Sequence, residues 1–267
     1  MDNIVVLAQA RLGSTRYPRK VLAPLCGIPL VLYQARRFQQ AGWRMHVLVP
    51  KGDKALVALK REGIAVHGIL GDPEDVLLRF ATYAHAMLKP SSIIVRVCCD
   101  SPLLCPYLLG AILAQWEASS KSLAYLGMGS GWPDGLADFD VFTYTALMQA
   151  HAEATLASDR HHCTPLFWKQ PDRFPQSICP APSWVREQAW PKFSIDTPED
   201  FAYVERVAQH VTQVYGRAYT WRDVLMAVTH EPSLYRMPEP MNEAYVTQVA
   251  QERGQAEITW EHLRYAG

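Results

Sequence analysis

A short basic segment near the start of the chain contains residue types that suit polyphosphate binding. It runs from Ala8 to Lys20 and holds three arginines, one lysine, one glycine and the hydroxyl residues Ser14 and Thr15, without an acidic residue. Small residues leave backbone N–H groups accessible, and fixed cations pair with phosphate oxygens. The segment has neither the GxxxxGK[ST] nor the GxGxxG spacing. A triphosphate-binding loop is therefore one interpretation, and a solvated basic loop is the other.

Two aspartates are candidates for a shared magnesium ion. Asp100 lies three residues after Val97, which ends the most apolar strand candidate, and Asp196 follows the apolar run Phe193–Ile195. Magnesium takes one or two carboxylates together with substrate oxygens and water. Helix capping is the alternative role for Asp196, but the following Thr-Pro-Glu-Asp already supplies a cap through Thr197. We therefore expect both carboxylates to be available for Mg²⁺.

These residues must be positioned by the elements that precede them. Short apolar runs alternate with segments of helical periodicity, which predicts an α/β fold with a mostly parallel central sheet and flanking helices. Ligands of such sheets bind at the carboxyl ends of the strands, where the basic segment and Asp100 both lie. The predicted strands are Ile4–Ala8, His46–Val49, Ala65–Gly68, Ile93–Val97 and Leu123–Leu126. The predicted helices between them are Pro29–Gln40, Lys54–Glu62, Glu74–Leu88 and Pro106–Ala118.

The pattern is less regular after residue 127. A segment with five prolines, Pro171–Pro191, is expected to be irregular. The predicted strands in this part are Phe139–Phe142 and Phe193–Ile195. The predicted helices are Thr145–Leu156, Arg160–Lys169 and Pro198–His210, followed from Tyr219 by further helical segments that include Met241–Arg253 and Glu257–Tyr265.

The composition is that of an ordinary globular protein with an uneven distribution of charge. Basic and acidic residues balance at 26 each, which argues against a protein that coats nucleic acid or anionic membrane. Residues 11–70 nevertheless contain eleven Lys and Arg against two acidic residues. Four of these cations lie in the basic segment, whereas Arg36, Arg37 and Lys60 fall on predicted helices and are expected on solvated faces. A local anionic ligand is the implied partner.

The cysteines and the N-terminal sequence indicate a compartment. The six cysteines form no CxxC pair and no Cys/His spacing suited to zinc, so free buried thiols in a reducing cytosol are expected. The N-terminal MDNIVVLAQA has an acidic residue where a signal peptide needs basic ones, and no apolar segment reaches the roughly 18 residues of a membrane span. We expect a cytoplasmic protein without nucleic-acid or membrane partners.

The basic segment also carries a family resemblance. Its pattern ARxGSTRxPxK, at residues 10–20, resembles the cytidylyltransferases that activate acidic sugars, namely the acylneuraminate and 3-deoxy-octulosonate cytidylyltransferases. The sequence is most similar to the group named for the spore-coat polysaccharide biosynthesis protein F. Five further blocks follow in the family's order, and together the blocks cover roughly residues 3–210. These blocks are Gly71–Phe80, Arg96–Leu103, Pro133–Leu136, Arg160–Pro165 and Ser194–Asp200.

The resemblance implies a fold, a reaction and a nucleotide site. It implies the nucleotide-diphosphosugar transferase architecture, which is Rossmann-like and GT-A-like, and a Mg²⁺-dependent transfer of CMP from CTP to the anomeric hydroxyl of a 2-keto acidic sugar, with release of pyrophosphate. Arg11, Lys20 and Asp100 would be catalytic, and Asp100 and Asp196 would hold the metal. The implied nucleotide-binding residues are Ala10, Arg11, Gly13, Ser14, Arg16, Lys20 and Arg79.

The segment that contains Arg79 has a structural alternative. Asp72 is expected to cap the helix Glu74–Leu88, and Arg79 is expected either to reach the nucleotide or to pair with Asp75 at i,i+4.

The acceptor side departs from the family pattern. The implied acceptor-binding residues are Asp138, Asp140, Arg160 and His162, with a half-buried helical residue as the alternative for His162. Ala137 shifts the two aspartates by one residue against the Pro-Asp-Gly-Leu block, which on a strand turns side chains to the other face unless a bulge absorbs the insertion. His161 replaces the acidic residue usual in its block. Arg19 also departs, because the family usually has a small residue there, often Gly.

The domain organisation follows from these blocks. Residues 1–215 are expected to form the catalytic domain, with 127–192 as an acceptor-binding and dimerisation insertion, and residues 216–267 to form a helical extension packed on it. Asn242-Glu243-Ala244-Tyr245 resembles the Asn-Glu-Gly-Tyr that often closes chains of this group. Trp132, Trp168, Trp184 and Trp190 suggest an apolar docking surface, and a homodimer is the expected assembly.

Three alternatives to a CTP-dependent enzyme stay open. The first is the same chemistry with GTP or another nucleoside triphosphate. The second is a catalytically weak paralogue that binds nucleotide or sugar, suggested by Arg19, Ala137 and His161. The third is a glycosyltransferase, whose Asp-x-Asp motif would be Asp138-Phe139-Asp140.

Overall fold

The central feature of the chain is a seven-stranded sheet with helices on both faces. A computed structural model describes residues 3–119, 123–129 and 131–237 of the 267. The strands are β1 Ile4–Gln9, β2 Pro24–Leu25, β3 Ile28–Pro29, β4 Met45–Pro50, β5 Ala65–Ile69, β6 Ile93–Cys98, β7 Tyr125–Met128, β8 Asp140–Thr143 and β9 Gln176–Cys179. The helices are α1 Leu30–Gln40, α2 Lys54–Ala58, α3 Val76–Met87, α4 Leu109–Ala118, α5 Tyr144–Glu153, α6 Ala157–His162, α7 Pro165–Lys169, α8 Ser183–Arg186, α9 Pro198–Tyr215 and α10 Trp221–His230.

The strand order is β5-β4-β1-β6-β8-β7-β9, and β2 and β3 form a separate hairpin. In the described part of the large sheet, β8 runs antiparallel to its neighbours β6 and β7, and the other pairings are parallel. The prediction of a mostly parallel sheet with flanking helices is therefore confirmed. β1 pairs with β6 through Gln9 and Cys98 at their carboxyl ends, so the segments that follow these two strands leave the sheet side by side.

The core consists of apolar clusters on the two faces of the sheet. Along β1, Val6 and Ala8 face the cluster that contains α1 and α4, whereas Leu7 faces the cluster that contains α3 and α5. This alternation follows from the two-residue period of a strand, and burial on both faces explains why the predicted strands are continuous apolar runs. A third cluster joins α9 and α10 to Phe193 and Ile195 beside the strand ends.

Several predictions about local structure are wrong. Phe193–Ile195 is buried but forms no strand, because its amides pair with loop carbonyls rather than with a strand. Strand β9 and helix α8 lie inside the segment expected to be irregular. The single helix expected over Arg160–Lys169 is two helices, α6 and α7, separated at Cys163, whose φ of 70° is incompatible with a continuous helix.

The described part of the C-terminal extension, residues 216–237, packs on the core through α10. Trp221 and Leu225 share the third cluster with Val207 and Val211 of α9. The predicted helices Met241–Arg253 and Glu257–Tyr265, and the block at 242–245, lie outside the described residues. None of the helices between residues 3 and 237 that the structure describes has the length and apolar character needed to cross a membrane.

Three of the four tryptophans expected to form a docking surface, Trp132, Trp184 and Trp190, contact other tryptophans of the same chain. Trp132 and Trp184 both contact Trp221, with ring centroids 5.1 and 5.7 Å apart, and Trp168 is buried. Trp184 retains 39% exposure. The segment 127–192 contributes β8 and β9 to the central sheet.

Candidate active site

Lys20 lies at the centre of the candidate site. It follows the loop after β1, opens a short 3₁₀ turn and is 9% exposed. Its ammonium nitrogen donates to Asp100 Oδ2 at 3.0 Å, to the carbonyl oxygen of Ile195 at 2.5 Å and to Asp196 Oδ1 at 3.3 Å. The structure therefore brings the two aspartates predicted to hold a metal onto one shared cation.

The neighbouring strands explain how Asp100 and Asp196 come together. Asp100 lies in the turn after β6, directly beside the loop that leaves β1. The Ile195 N–H donates to the Asp100 carbonyl at 2.8 Å, so the segment that ends in Asp196 is attached to the turn that carries Asp100. Thr197 and Asp200 form the predicted capping box of α9, which confirms that Thr197 does the capping. Asp196 is left to face Lys20.

The charges at this centre stabilise one another. Burial lowers the pKa of Lys20, but the carboxylates of Asp100 and Asp196 outweigh it and raise that pKa above its ordinary value. Burial raises the pKa of Asp196, but Lys20, Lys192 and Arg16 lower it below its ordinary value. Lys20 and Asp196 are therefore charged at neutral pH.

Two of the three arginines of the basic loop, Arg11 and Arg16, are also paired with protein acids. Arg16 contacts Asp196 Oδ1 at 2.9 Å. Arg11 pairs with the carboxylate of Glu74 and lies 3.3 Å from His161 Nε2, and His161 Nδ1 lies 3.4 Å from the same carboxylate. The residue that departs from the family pattern, His161, thus joins the loop to the segment before α3.

The backbone of the basic loop is closed by two hydrogen bonds. The Arg19 N–H donates to the Leu12 carbonyl at 3.1 Å, and the Leu12 N–H donates to Asp53 Oδ2 at 2.8 Å. Arg19 has φ 61° and ψ 20°, a left-handed conformation that favours glycine. This backbone requirement accounts for the small residue that the family usually carries at this position.

The other predicted nucleotide-binding residues occupy different environments. The Ala10 N–H donates to the Leu48 carbonyl at 3.1 Å, and Ala10 is buried. Gly13 is exposed, with open space where a Cβ would lie, and Ser14 is half-buried. Arg79 is buried and donates to the Pro73 carbonyl at 2.5 Å, and both burial and Arg11 lower its pKa.

The start of α3 differs from the prediction. Asp75 caps the helix by accepting from the Leu78 N–H at 2.8 Å, so the expected cap at Asp72 is wrong. Asp72 instead accepts from the Glu74 N–H at 2.8 Å, within the preceding turn. The other oxygen of Asp75 accepts from Arg160, rather than from Arg79, at 2.6 Å.

The guanidinium group of Arg160 hydrogen-bonds to other groups of the protein. Besides its 2.6 Å contact with Asp75, it donates to the carbonyls of Ala154 and His151 at 3.2 and 3.4 Å. These contacts tie the start of α3 to the end of α5. His162 is half-buried, and burial together with His161 and Arg96 lowers its pKa to about 3, so its imidazole is neutral at pH 7. Acceptor binding by Arg160 and His162 stays a prediction.

Asp138 and Asp140 face different partners. Asp138 Oδ2 accepts from the Gly135 N–H at 2.8 Å and from Ser101 Oγ at 3.3 Å. Asp140 is paired across the sheet with Arg96 at 2.6 Å and accepts from the Tyr125 hydroxyl at 2.5 Å. The two carboxylates therefore do not converge on one point, which disfavours the Asp-x-Asp motif of a glycosyltransferase.

The additional residue Ala137 is absorbed before β8 begins. Ala137 is buried, and its carbonyl accepts from the Phe139 N–H at 2.8 Å in a tight turn. Strand β8 starts at Asp140, so the insertion does not shift the register within the strand.

Three charged residues near this site were not among the predicted site residues. Lys192 contacts Asp196 Oδ2 at 2.7 Å and Asp200 Oδ2 at 3.0 Å. Arg96 is the charged exception in an apolar strand, which was a usable signal. Arg37, expected on a solvated face, is 5% exposed and donates to loop carbonyls.

The described residues provide the two aspartates for a metal but no larger ligand cluster. No group of three or more His, Cys, Asp or Glu side chains suited to a metal ion occurs in residues 3–119, 123–129 and 131–237. Two carboxylates directed at one cation nevertheless match the donor set that Mg²⁺ takes when substrate oxygens and water supply the other ligands.

Comparisons with known proteins identify the family of the chain. A family model described as cytidylyltransferase matches residues 5–219. The 3-deoxy-manno-octulosonate cytidylyltransferase of Acidovorax sp. (strain JS42) is 29% identical over 174 residues, which cover 62% of this chain and 66%, slightly less than two thirds, of that protein. The spore coat polysaccharide biosynthesis protein SpsF of Bacillus subtilis (strain 168) is 26% identical over 216 residues, which cover 78% of this chain and 88% of that protein.

A solved structure shows the same fold. The cytidylyltransferase from Leptospira borgpetersenii serovar Hardjo-bovis (strain JB197) superposes with a TM-score of 0.77 at 20% identity, covering 90% of this chain and 99% of that one. The resemblance stated from the sequence blocks is thereby confirmed at the levels of family and fold.

Proposed function

The chain belongs to the cytidylyltransferase family, and we propose that it transfers CMP from CTP to a 2-keto acidic sugar of the nonulosonate or octulosonate type, with release of pyrophosphate, in the synthesis of a surface polysaccharide or glycan. The observation that carries this proposal is the contact of Lys20 with Asp100 and Asp196 beside the basic loop. This contact supports a site in which cations suited to a triphosphate lie next to carboxylates suited to a metal. The names of the octulosonate enzyme and of SpsF support the acidic-sugar and polysaccharide parts of the proposal.

The basic loop provides the charge needed by the nucleotide. Arg11, Arg16 and Lys20 are each paired with a protein carboxylate. A bound triphosphate would pair with these cations in place of the carboxylates. The loop would then neutralise charge on the phosphates. The acceptor hydroxyl oxygen would attack the α-phosphorus, and pyrophosphate would leave. Positioning and charge neutralisation by fixed groups account for most catalysis of this type.

Asp100 and Asp196 are the residues that would hold a divalent cation, for which we propose Mg²⁺. The Lys20 ammonium group already occupies a point shared by both carboxylates, so this pair is arranged for a cation. When bound, Mg²⁺ supplies Lewis-acid stabilisation of phosphate charge. Lys192, which contacts the other oxygen of Asp196, would keep that carboxylate oriented.

We propose that the acceptor lies beyond β6 and that its binding involves Asp138, Asp140, Arg160 and His162. Arg160 and Asp140 already have strong protein partners, so we propose that they shape this region through those contacts. We propose that Asp138 and the neutral His162 contact sugar hydroxyls, because a carboxylate and a neutral imidazole can both accept hydrogen bonds from hydroxyl groups.

The proposed setting is a cytoplasmic homodimer. The six cysteines, all within the described residues, are free, which suits a reducing compartment. β9 is an edge strand of the large sheet and exposes Ile178, which supports a contact between copies within 127–192. Light scattering on the purified chain measures the assembly directly.

One experiment tests the reaction. The purified protein is incubated with each of the four nucleoside triphosphates, with and without Mg²⁺, against a panel of 2-keto sugar acids, and pyrophosphate release is measured. We expect release with CTP, Mg²⁺ and at least one sugar acid, and none without an acceptor. Release with GTP and an acceptor, but not with CTP, would show that the nucleotide substrate is GTP rather than CTP. Nucleotide binding without release on any acceptor would contradict the proposed enzyme.

A further inference from the structure

The turn that carries Asp100 is held from behind by two side chains of α1. Gln34 Nε2 donates to the carbonyls of Cys98 and Ser101, at 2.9 and 3.1 Å. One turn further along the helix, Arg37 donates from a single guanidinium nitrogen to the carbonyls of Pro102 and Leu104, at 3.2 and 3.0 Å. Four carbonyls that bracket Asp100 are thus fixed by one helix.

These donors are needed because the turn is buried. Ser101, Pro102 and Leu104 are buried, so water has little access to three of the four carbonyls. A buried carbonyl without a donor costs about 1–3 kcal/mol. Without the two side chains, the turn would have to move toward solvent, and Asp100 would move with it.

The burial of Gln34 and Arg37 is itself unfavourable for the stability of the fold. Gln34 is fully buried, and its Oε1 has no hydrogen-bond partner among the described residues. Arg37 is 5% exposed, and its Nε is likewise buried without a partner there. A helix face that only had to pack would be more stable with apolar residues, as Leu32 and Phe38 of the same helix illustrate.

Arg37 links the turn to a second segment. Its other terminal nitrogen donates to the Tyr219 carbonyl at 2.9 Å, and its guanidinium stacks 3.8 Å from the centroid of the Tyr219 ring. Tyr33, on the same helix, lies within hydrogen-bond distance of the Tyr219 hydroxyl, at 3.0 Å. The residue just before the cap of α10 is therefore fixed to the same helix as the turn.

We propose that Gln34 and Arg37 are positioning residues that set the place of the Asp100 carboxylate, and this inference rests on the proposed function of that carboxylate. Neither side chain is expected to touch the substrates. They act by holding the backbone on both sides of Asp100, and groups that orient a metal ligand in this way typically change metal affinity or activity by about 10–100-fold when removed.

The test compares Gln34→Met and Arg37→Met, which remove the donors, with two controls on the same helix. Arg36→Met removes an exposed guanidinium next to Arg37. Phe38→Leu leaves a small defect in the core without removing a hydrogen-bond donor to the turn, and it reports on general destabilisation. Arg37→Lys keeps the charge but lacks the planar fork, so we expect an intermediate loss.

Three measurements are made on each variant. They are Mn²⁺ affinity by electron paramagnetic resonance of the free ion, hydrogen exchange of the peptide 98–105, and kcat and KM for CTP over a range of Mg²⁺ concentrations. We expect Gln34→Met and Arg37→Met to weaken Mn²⁺ binding about tenfold, to accelerate exchange in that peptide, and to lower kcat while KM for CTP stays within about twofold. Arg36→Met should behave as the parent protein.

The positioning role is overturned if Gln34→Met keeps the parent's Mn²⁺ affinity and kcat. The thermal midpoint of every variant is measured as well. The role is also overturned if Phe38→Leu changes Mn²⁺ affinity and kcat in the same proportion to its loss of thermal midpoint as Gln34→Met and Arg37→Met do. Absence of pyrophosphate release by the parent protein would refute the proposed function instead. Mn²⁺ affinity and local exchange would still decide whether the two side chains hold the turn.

Discussion

The ammonium group of Lys20 lies 3.0 Å from the carboxylate of Asp100, although the two residues are 80 positions apart in the chain. Each belongs to a segment that leaves the carboxyl end of one of two adjacent parallel strands, β1 and β6. The pair joins the phosphate side of the proposed site to its metal side. Its behaviour on substitution therefore tests both at once.

Replacing Lys20 by methionine should make the protein depend on a divalent cation for stability. The substitution leaves the carboxylates of Asp100 and Asp196 near each other without the shared ammonium group, at a cost of about 1–2 kcal/mol. We expect the thermal midpoint of Lys20→Met to fall in chelator and to recover with millimolar Mg²⁺, which binds the same carboxylates. Differential scanning fluorimetry with and without Mg²⁺ measures this. If Mg²⁺ raised the thermal midpoint of the parent protein by the same amount, this would contradict the idea that Lys20 and Mg²⁺ occupy the same position between the two carboxylates.

Replacing Asp100 by asparagine should abolish turnover while the thermal midpoint changes little. Lys20 keeps its contacts with Asp196 and the Ile195 carbonyl, so its charge stays compensated. The lost carboxylate removes one of two proposed metal ligands, and we expect at least a hundredfold loss of kcat. The exposed Asp172→Asn is the matched control for removing one acidic charge. Retained turnover in Asp100→Asn would remove this residue from the proposed catalytic set.

Acid should destabilise the protein in part through Asp200. Burial disfavours its charged form, but the Asp196 N–H, Arg236 and Lys192 lower its pKa to about 2. A depressed folded pKa means that the stabilisation is complete above the ordinary pKa of 3.8 and is lost as the pH falls from there through about 2. This shift corresponds to about 2 kcal/mol. The free energy of unfolding, measured by urea titration between pH 6 and pH 2, should fall less in Asp200→Asn than in the parent protein. Parallel curves for the two proteins would show that the carboxylate does not contribute.

The positions of the two proposed metal-binding aspartates could be predicted from the sequence, but the helix that holds the segment around one of them could not. Asp100 and Asp196 follow apolar runs, and ligands collect at strand ends whatever the details of packing. Gln34 and Arg37 lie on helix α1. Its periodicity identifies the apolar face but does not show that a loop covers the polar residues beside that face. Arg37 was therefore assigned to solvent, although loop 98–104 buries it.

The secondary structure of two other segments, Phe193–Ile195 and β9, could not be predicted from the sequence either. Phe193–Ile195 has the apolar composition of a strand, but its amides pair with carbonyls of Asp134 and Asp100 in turns. Conversely, β9 is a strand between prolines, because it lies at the edge of the sheet and pairs with β7 on one side. In both cases the hydrogen-bond partner, rather than the local composition, decided the structure.

Replacing Arg19 by glycine should stabilise the basic loop. Arg19 has a φ of 61°, a conformation that costs a residue with a Cβ about 1 kcal/mol relative to glycine. We expect Arg19→Gly to raise the free energy of unfolding by about 0.5–1 kcal/mol, as measured by urea titration. Arg19→Ala is the matched control, because it removes the guanidinium but keeps the Cβ and hence the strain. If alanine stabilised the protein as much as glycine, the charge of Arg19 rather than its backbone conformation would be the source of the cost.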